Sequence, residues 1–166
     1  MRKTGFAPIL DVRSEILVLG TFPSEKSLEK NEYYAHSGNQ FWKIISAICS
    51  SEQPTQYDDK IRLLLNHQLG LWDVYRSVVR EGSADVDIKD AKVNDFRSLI
   101  IKYPNIKGVL FGSKGAETVF AQSFPDLYET MPHLTAFSPS GAYAKKLSEK
   151  INNWDECIRK LKELWI

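Results

Sequence analysis

Between Ile16 and Trp42 the chain reads ILVLGTFPSEKSLEKNEYYAHSGNQFW, a stretch dense in groups able to grip a flat, polar ring. Gly20 ends an apolar run and lets a ligand approach the backbone closely. Thr21, Phe22, Pro23 and Ser24 follow where a strand hands over to a helix; Phe22 offers a platform for a planar ring, and Ser24 an N-cap. A plain turn with Phe22 folded into the core accounts for the same residues. Further on, Tyr34, His36 and Asn39 precede an aromatic-led helix. His36 is able to donate or accept a proton near neutrality, although a lone histidine is commonly a structural hydrogen-bonder. Asn39 suits two jobs: capping the apolar helix that follows, and presenting its amide to a water or a base edge.

A second loop lies far downstream, at Ser138-Pro139-Ser140-Gly141-Ala142-Tyr143. Small hydroxylated residues beside Gly and Pro expose backbone N–H groups and let another chain come close, as they also do in an ordinary turn. Gly112-Ser113-Lys114-Gly115 opens a helix and offers free N–H groups to an anion, without the spacing of a nucleotide triphosphate loop. Ser140 lacks the G-x-S-x-G setting of a serine nucleophile. Asp85, Asp87 and Asp90 have no His or Cys at metal-ligand spacing and read as a solvated acidic turn.

Four apolar runs must carry these loops. Ile16–Gly20, Gly70–Tyr75, Gly108–Gly112 and Leu134–Phe137 read as strands. The first and third are continuously apolar, the pattern of strands covered on both faces. Helical spacing recurs at Phe41, Ile44, Ile45 and Ile48; at Ile61, Leu64 and Leu65; and at Phe96, Leu99 and Ile100. The last helix bears Ile151, Trp154, Ile158, Leu161 and Trp165 on one stripe, with Lys and Glu elsewhere. Ser50–Thr55 and Glu81–Asp90 read as loops. Alternation of strand and helix predicts an α/β fold with a parallel sheet covered on both faces. Ligands of such folds bind beyond the carboxyl ends of the strands, so the loops after Gly20, Tyr75, Gly112 and Phe137 are predicted to share one rim.

The 166 residues are expected to form one domain, 1–166. No apolar run approaches the roughly 20 residues of a bilayer span, and the N-terminus lacks the apolar stretch of a signal peptide. Cys49 and Cys157 are too few and too far apart for a disulfide framework, which points to the cytoplasm. A net charge of +1 is unlike that of proteins that coat DNA nonspecifically, yet it suits an enzyme that pins a few phosphates.

The GxxPS loop after a strand, the YYAHxxNxFW segment and the SPSG loop, in this order, resemble the uracil-DNA glycosylase superfamily. Within it the chain is most similar to the hypoxanthine-DNA (deoxyinosine) glycosylases, a likeness that covers nearly the whole chain and includes GLWDVY and Arg80–Asp85. The resemblance implies a three-layer α/β/α sandwich around a four-stranded parallel sheet, acting in base excision repair on a deaminated base flipped out of DNA. It implies that Gly20 to Ser24 and Tyr34 hold the base, with Phe22 where many relatives keep a water-positioning residue. Catalysis then falls on Asn39, with His36 as a donor to the leaving group. Ser138, Pro139, Ser140 and Gly141 would grip DNA together with Ser113 and Lys114, and Tyr143 would wedge into the vacated stack. No metal or organic cofactor is implied; the expected partner is damaged or mismatched DNA, met by a monomer away from membranes. Two departures stand out. Ser37-Gly38 replaces the usual Pro after the histidine, and SPSGAY is nearer the mismatch-specific form. The rival expectations are accordingly a uracil or G:U mismatch glycosylase and, from another class, a non-catalytic module that binds damaged DNA.

Overall fold

The computed structural model describes residues 1–165. The chain runs β1 (Arg2–Thr4), β2 (Ile16–Gly20), α1 (Glu25–Lys30), α2 (Phe41–Ile48), α3 (Tyr57–Asn66), β3 (Leu69–Asp73), β4 (Tyr75–Val79), β5 (Lys89–Val93), α4 (Phe96–Lys102), β6 (Gly108–Phe111), α5 (Lys114–Ser123), α6 (Pro125–Thr130), β7 (His133–Thr135) and α7 (Leu147–Leu164). Strands β2 and β6 lie at the centre of a parallel four-stranded sheet ordered β3-β2-β6-β7. Successive side chains of a strand face opposite ways, and β2 is buried on both sides for that reason. Ile16 and Val18 join Phe41, Ile44, Leu64, Trp154 and Leu161, so α2, α3 and α7 cover one face. Leu17 and Leu19 join Phe96, Leu99, Phe111 and Phe120, so α4 and α5 cover the other. The result is a three-layer α/β/α sandwich. Each such apolar side chain withdrawn from water is worth about 1.5–3 kcal/mol before entropy is counted.

Several features differ from the sequence expectation. The predicted strand Gly70–Tyr75 is two strands in two sheets. Val74 N–H donates to Gly20 O at 2.9 Å and Tyr75 N–H to Thr21 O at 3.1 Å, which hooks the chain over the end of β2. From Tyr75 it runs instead as β4, the middle of an antiparallel sheet ordered β1-β4-β5. This second sheet was not anticipated, because β5 is Lys-Asp-Ala-Lys-Val and mostly exposed, with no apolar alternation to mark it. The predicted loop Glu81–Asp90 therefore contains a short 3₁₀ turn at Asp85–Asp87 and the start of β5. The last sheet strand is His133–Thr135 rather than Leu134–Phe137. Finally, the predicted stripe of α7 packs on the core as expected, with Trp154, Ile158 and Leu161 buried and Ile151 half-buried, and buried Lys150 is an unpredicted addition to that face. No helix among the described residues is long and apolar enough to cross a membrane.

Candidate active site

The carboxyl ends of β2 and β3 set the floor of the site. Gly20 and Asp73 are register partners there, and the Asp73 carboxyl meets the Tyr34 hydroxyl over the Gly20 α-carbon. A side chain at Gly20 would begin 2.6 Å from Asp73 Oδ1 and 2.9 Å from Tyr34 Oη, so glycine is what lets these two groups converge. Tyr34 itself has φ of 55°, a left-handed conformation rare for a bulky residue. Its ring stacks on Phe41 with centroids 4.1 Å apart, and this packing holds the strained backbone in place. Ser24 caps α1 through Ser27 N, and buried Ser27 in turn accepts Ala35 N–H at 3.1 Å, tying the two halves of the segment together.

Asn39 sits between helix and cavity. Its Oδ1 accepts the first helical N–H, that of Phe41, at 2.9 Å, while Gln40 occupies the N-cap position. The predicted capping role is thus displaced by one residue. It also fixes the amide, because the oxygen must face Phe41 N–H and the Nδ2 donors remain for the cavity. His36 Nδ1 accepts Gly38 N–H at 3.0 Å, so the neutral ring carries its proton on Nε2 and is a donor there.

The Ser138–Tyr143 loop closes against this segment. Gln40 N–H donates to Pro139 O at 2.8 Å, and Gly141 approaches Gly38 so closely that a β-carbon would lie 2.4 Å from Gly38 O. Ser138 Oγ accepts Ser140 N–H, and Ser140 Oγ accepts Ala142 N–H, each at 3.2 Å. Both hydroxyls hold the turn as acceptors and keep their own protons to donate.

A cavity of about 540 Å³ opens between the loops. Its third wall is Ser83, Ala84 and Asp85 of the segment after β4. That segment is clasped to α1: Glu25 N–H donates to Ser83 Oγ at 2.9 Å, and Gly82 N–H to Glu25 Oε1 at 3.1 Å. The Arg80 side chain is fully buried, donates to Pro23 O at 2.6 Å and lies 5.2 Å from the centroid of the Phe22 ring, which it backs. On the floor, the carboxyl of Asp73 is buried and Oδ2 has no hydrogen-bond partner among the described residues. Burial, the nearby Asp85 charge and, in the opposite sense, the Arg80 charge bring its pKa up from about 3.8 to about 7. Burial and the Asp73 charge hold the Tyr34 phenol well above its ordinary range, so it is a neutral hydroxyl. A buried polar atom without a partner is the sort of group a ligand satisfies.

Of the residues singled out in the sequence, Phe22, Pro23, Ser24, Tyr34, His36, Asn39, Ser140 and Gly141 line this cavity. Gly20 lies under it. Thr21, Ser138, Pro139 and Tyr143 flank it without lining it, and Tyr143 is 40% exposed. Ser113 and Lys114 do not line it either, and Ser113 Oγ caps α5 through Ala116 N–H at 3.1 Å. Asp73, Arg80 and Asp85 were not anticipated as site residues. Asp85 lies in the exposed turn expected for it and also lines the cavity. The available signal for Asp73 was a charge closing an otherwise apolar strand, at the edge where such sheets bind ligands. Among the described residues no group of three or more His, Cys, Asp or Glu side chains gathers at metal-binding distance. The arrangement is suited to a flat heterocycle: an aromatic wall, a carboxyl and a phenol on the floor, and N–H donors at the rim.

The family model of the Uracil DNA glycosylase superfamily matches residues 7–162. A hypoxanthine DNA glycosylase of Methanosarcina barkeri is 35% identical over 164 residues, covering 96% of this chain and 100% of that protein. One of Methanosarcina acetivorans is 35% identical over 163 residues, covering 96% and 99%. The solution NMR structure of a candidate uracil DNA glycosylase from Methanosarcina acetivorans superposes with a TM-score of 0.81 at 32% identity, over 98% of this chain and 99% of that one.

Proposed function

Because the chain belongs to the Uracil DNA glycosylase superfamily, we propose that its cavity receives a base flipped out of DNA, hypoxanthine foremost, and that the bond from that base to deoxyribose is hydrolysed there. It is a DNA glycosylase acting on deaminated bases. The preference for hypoxanthine follows the two relatives; the observation that carries the reading of a base with adjacent N–H and C=O groups is the buried, unpartnered carboxyl of Asp73 on the cavity floor. A neutral carboxyl presents one acceptor and one donor side by side, which pair with the N–H and C=O that stand adjacent in hypoxanthine. Uracil has the same adjacent pair, and the mismatch-specific form of SPSGAY favours keeping it as the second substrate.

The reaction passes through a transition state in which positive charge grows on the sugar and negative charge on the departing base. Water adds to the sugar carbon as the glycosidic bond breaks, and the base leaves with a proton. Phe22, backed by Arg80, stacks on the base. Asn39 Nδ2 donates to the charge growing on it, and His36 Nε2 donates to the leaving group. The Ser138–Gly141 loop holds flanking phosphates, and Tyr143 fills the vacated stack. The free thiols of Cys49 and Cys157 support a reducing, cytoplasmic setting.

The test is alkaline strand cleavage of duplexes carrying one deoxyinosine, deoxyuridine or deoxyxanthosine. Cleavage at deoxyinosine first is the expected result; cleavage at none of them removes the glycosylase reading, and a gel shift without product installs the binding module instead. Gly141→Ala is expected to lower deoxyinosine cleavage by about tenfold or more. The new β-carbon must push the Ser138–Tyr143 loop off Gly38 O, and small displacements of aligned groups lose rate steeply. A thermal melt should also fall, because the clash is with backbone rather than with a side chain able to swing aside.

A further inference from the structure

Lys150 ties the segment around Asn39 to the Ser138–Tyr143 loop. It is 1% exposed, on the first turns of α7. Its Nζ donates to Gln40 Oε1 at 2.7 Å and to Ser140 O at 2.8 Å, and it lies 5.8 Å from the Tyr143 ring centroid. The first partner adjoins Asn39; the second belongs to the loop that closes against it. No carboxylate among the described residues lies within ion-pair distance of it, and burial pushes its pKa down. A buried ammonium left without a counter-charge is disfavoured unless something negative arrives.

The direction of the Ser140 carbonyl shows where that charge would act. In a trans peptide the C=O and N–H point opposite ways. The carbonyl that Lys150 holds is joined to Gly141 N–H, which has no acceptor among the described residues and belongs to a cavity-lining residue. An ammonium on the carbonyl end polarises the peptide and strengthens the N–H as a donor at the other. The neighbouring turns keep this peptide in place, because Ser138 Oγ holds Ser140 N–H and Ser140 Oγ holds Ala142 N–H. Behind it, Asn153 and Trp154 of the same helix bind Phe137 N–H and O at 2.7 Å each, so α7 fixes the whole root of the loop.

We propose that Lys150 is a positioning residue which charges the Ser140–Gly141 peptide from behind to bind a DNA phosphate, and by the same ammonium holds Gln40 and hence the backbone of Asn39. The inference rests on the glycosylase reading only for its second half. Phosphate capture and alignment of the catalytic amide are then mechanically one event, since a loop drawn to DNA pulls on the same ammonium that sets Gln40.

The test uses the full chain with Lys150→Met, which removes the charge at similar length, and Gln40→Leu, which removes one partner and leaves the charge. Binding to a duplex bearing an abasic-site analogue is measured across salt, and single-turnover cleavage is measured at saturating deoxyinosine duplex. Loss of one phosphate contact lowers the slope of log K against log salt by about 0.9. Lys150→Met is expected to show that decrease together with slower cleavage. Gln40→Leu is expected to keep the wild-type slope and still slow cleavage by about tenfold. An unchanged slope in folded Lys150→Met overturns the phosphate half, and unslowed Gln40→Leu overturns the alignment half. If Lys150→Met does not fold, Lys150→Gln and the Gln40 variant are read by the same two criteria. Wild type that binds the abasic duplex but cleaves no lesion refutes the glycosylase reading while the slope comparison still decides the phosphate half.

Discussion

Asn39→Asp is expected to abolish most deoxyinosine cleavage while leaving the fold nearly as stable as wild type. The carboxylate keeps an oxygen for Phe41 N–H, the bond that Asn39 Oδ1 makes at 2.9 Å. It loses both Nδ2 donors and brings a negative charge towards a base that is itself becoming negative. Removal of one well-placed donor to a developing anion typically lowers a rate about 10²- to 10³-fold, and the added repulsion acts in the same direction. Asn39→Ala is expected to lose a similar amount of rate and in addition about 1 kcal/mol of stability, the usual loss when a side chain leaves a helix end. Single-turnover rates at saturating DNA, set beside urea midpoints, separate the two roles. Wild-type activity in Asn39→Asp would remove the donor role; a fully stable but inactive Asn39→Ala would show that the cap contributes nothing.

Asp73 carries the second large effect, and its sign depends on pH. With a pKa near 7, the carboxyl is neutral below that pH and able to donate and accept against the lactam edge of the base. Ionised, it can only accept, and it faces the base oxygen with a like charge. Wild-type kcat/KM for deoxyinosine is expected to be level below about pH 7 and to fall about tenfold per pH unit above it. Asp73→Asn preserves one donor and one acceptor and is expected to stay active without the alkaline fall, whereas Asp73→Leu loses on the order of 10² or more. A rate that rises through pH 7 would mean that the carboxylate acts as a base on water, contrary to the reading here. Stability follows the same proton. The folded pKa lies above the ordinary 3.8, so between about pH 4 and 7 the folded chain keeps a proton that the unfolded chain has released. The group's contribution is fully present below pH 4 and is lost as pH rises to about 7, after which it is constant. At about 1.4 kcal/mol for each tenfold, the loss is a few kcal/mol. Asp73→Asn is therefore expected to melt higher than wild type at pH 8 and to differ little at pH 4.

The parallel sheet, both of its faces and the two loops that meet above it are legible in the residues alone. Ile16–Leu19 and Val109–Phe111 are apolar at every position, and only strands covered on both sides need that. Ser24 and Asn39 are local signals, because each acts on the backbone of a near neighbour, whereas Gly20 and Gly141 are required by groups far along the chain, Asp73 and Gly38. Phe22 at the strand end suits a base platform or the core, and it is both buried and a lining residue of the cavity. The antiparallel sheet was beyond such reading, since Lys89–Val93 is held by pairing with β4 rather than by any pattern of its own. Arg80 and Lys150 were equally hidden, and Asp73 showed only as a charge closing an apolar strand. A charged side chain reads as solvent-facing until something distant buries it, and only the tertiary structure supplies the partners. Arg80 meets Pro23 57 residues away, and Lys150 meets Gln40 at a separation of 110. Local chemistry is written where it acts, whereas the burial of a charge is a property of what packs around it.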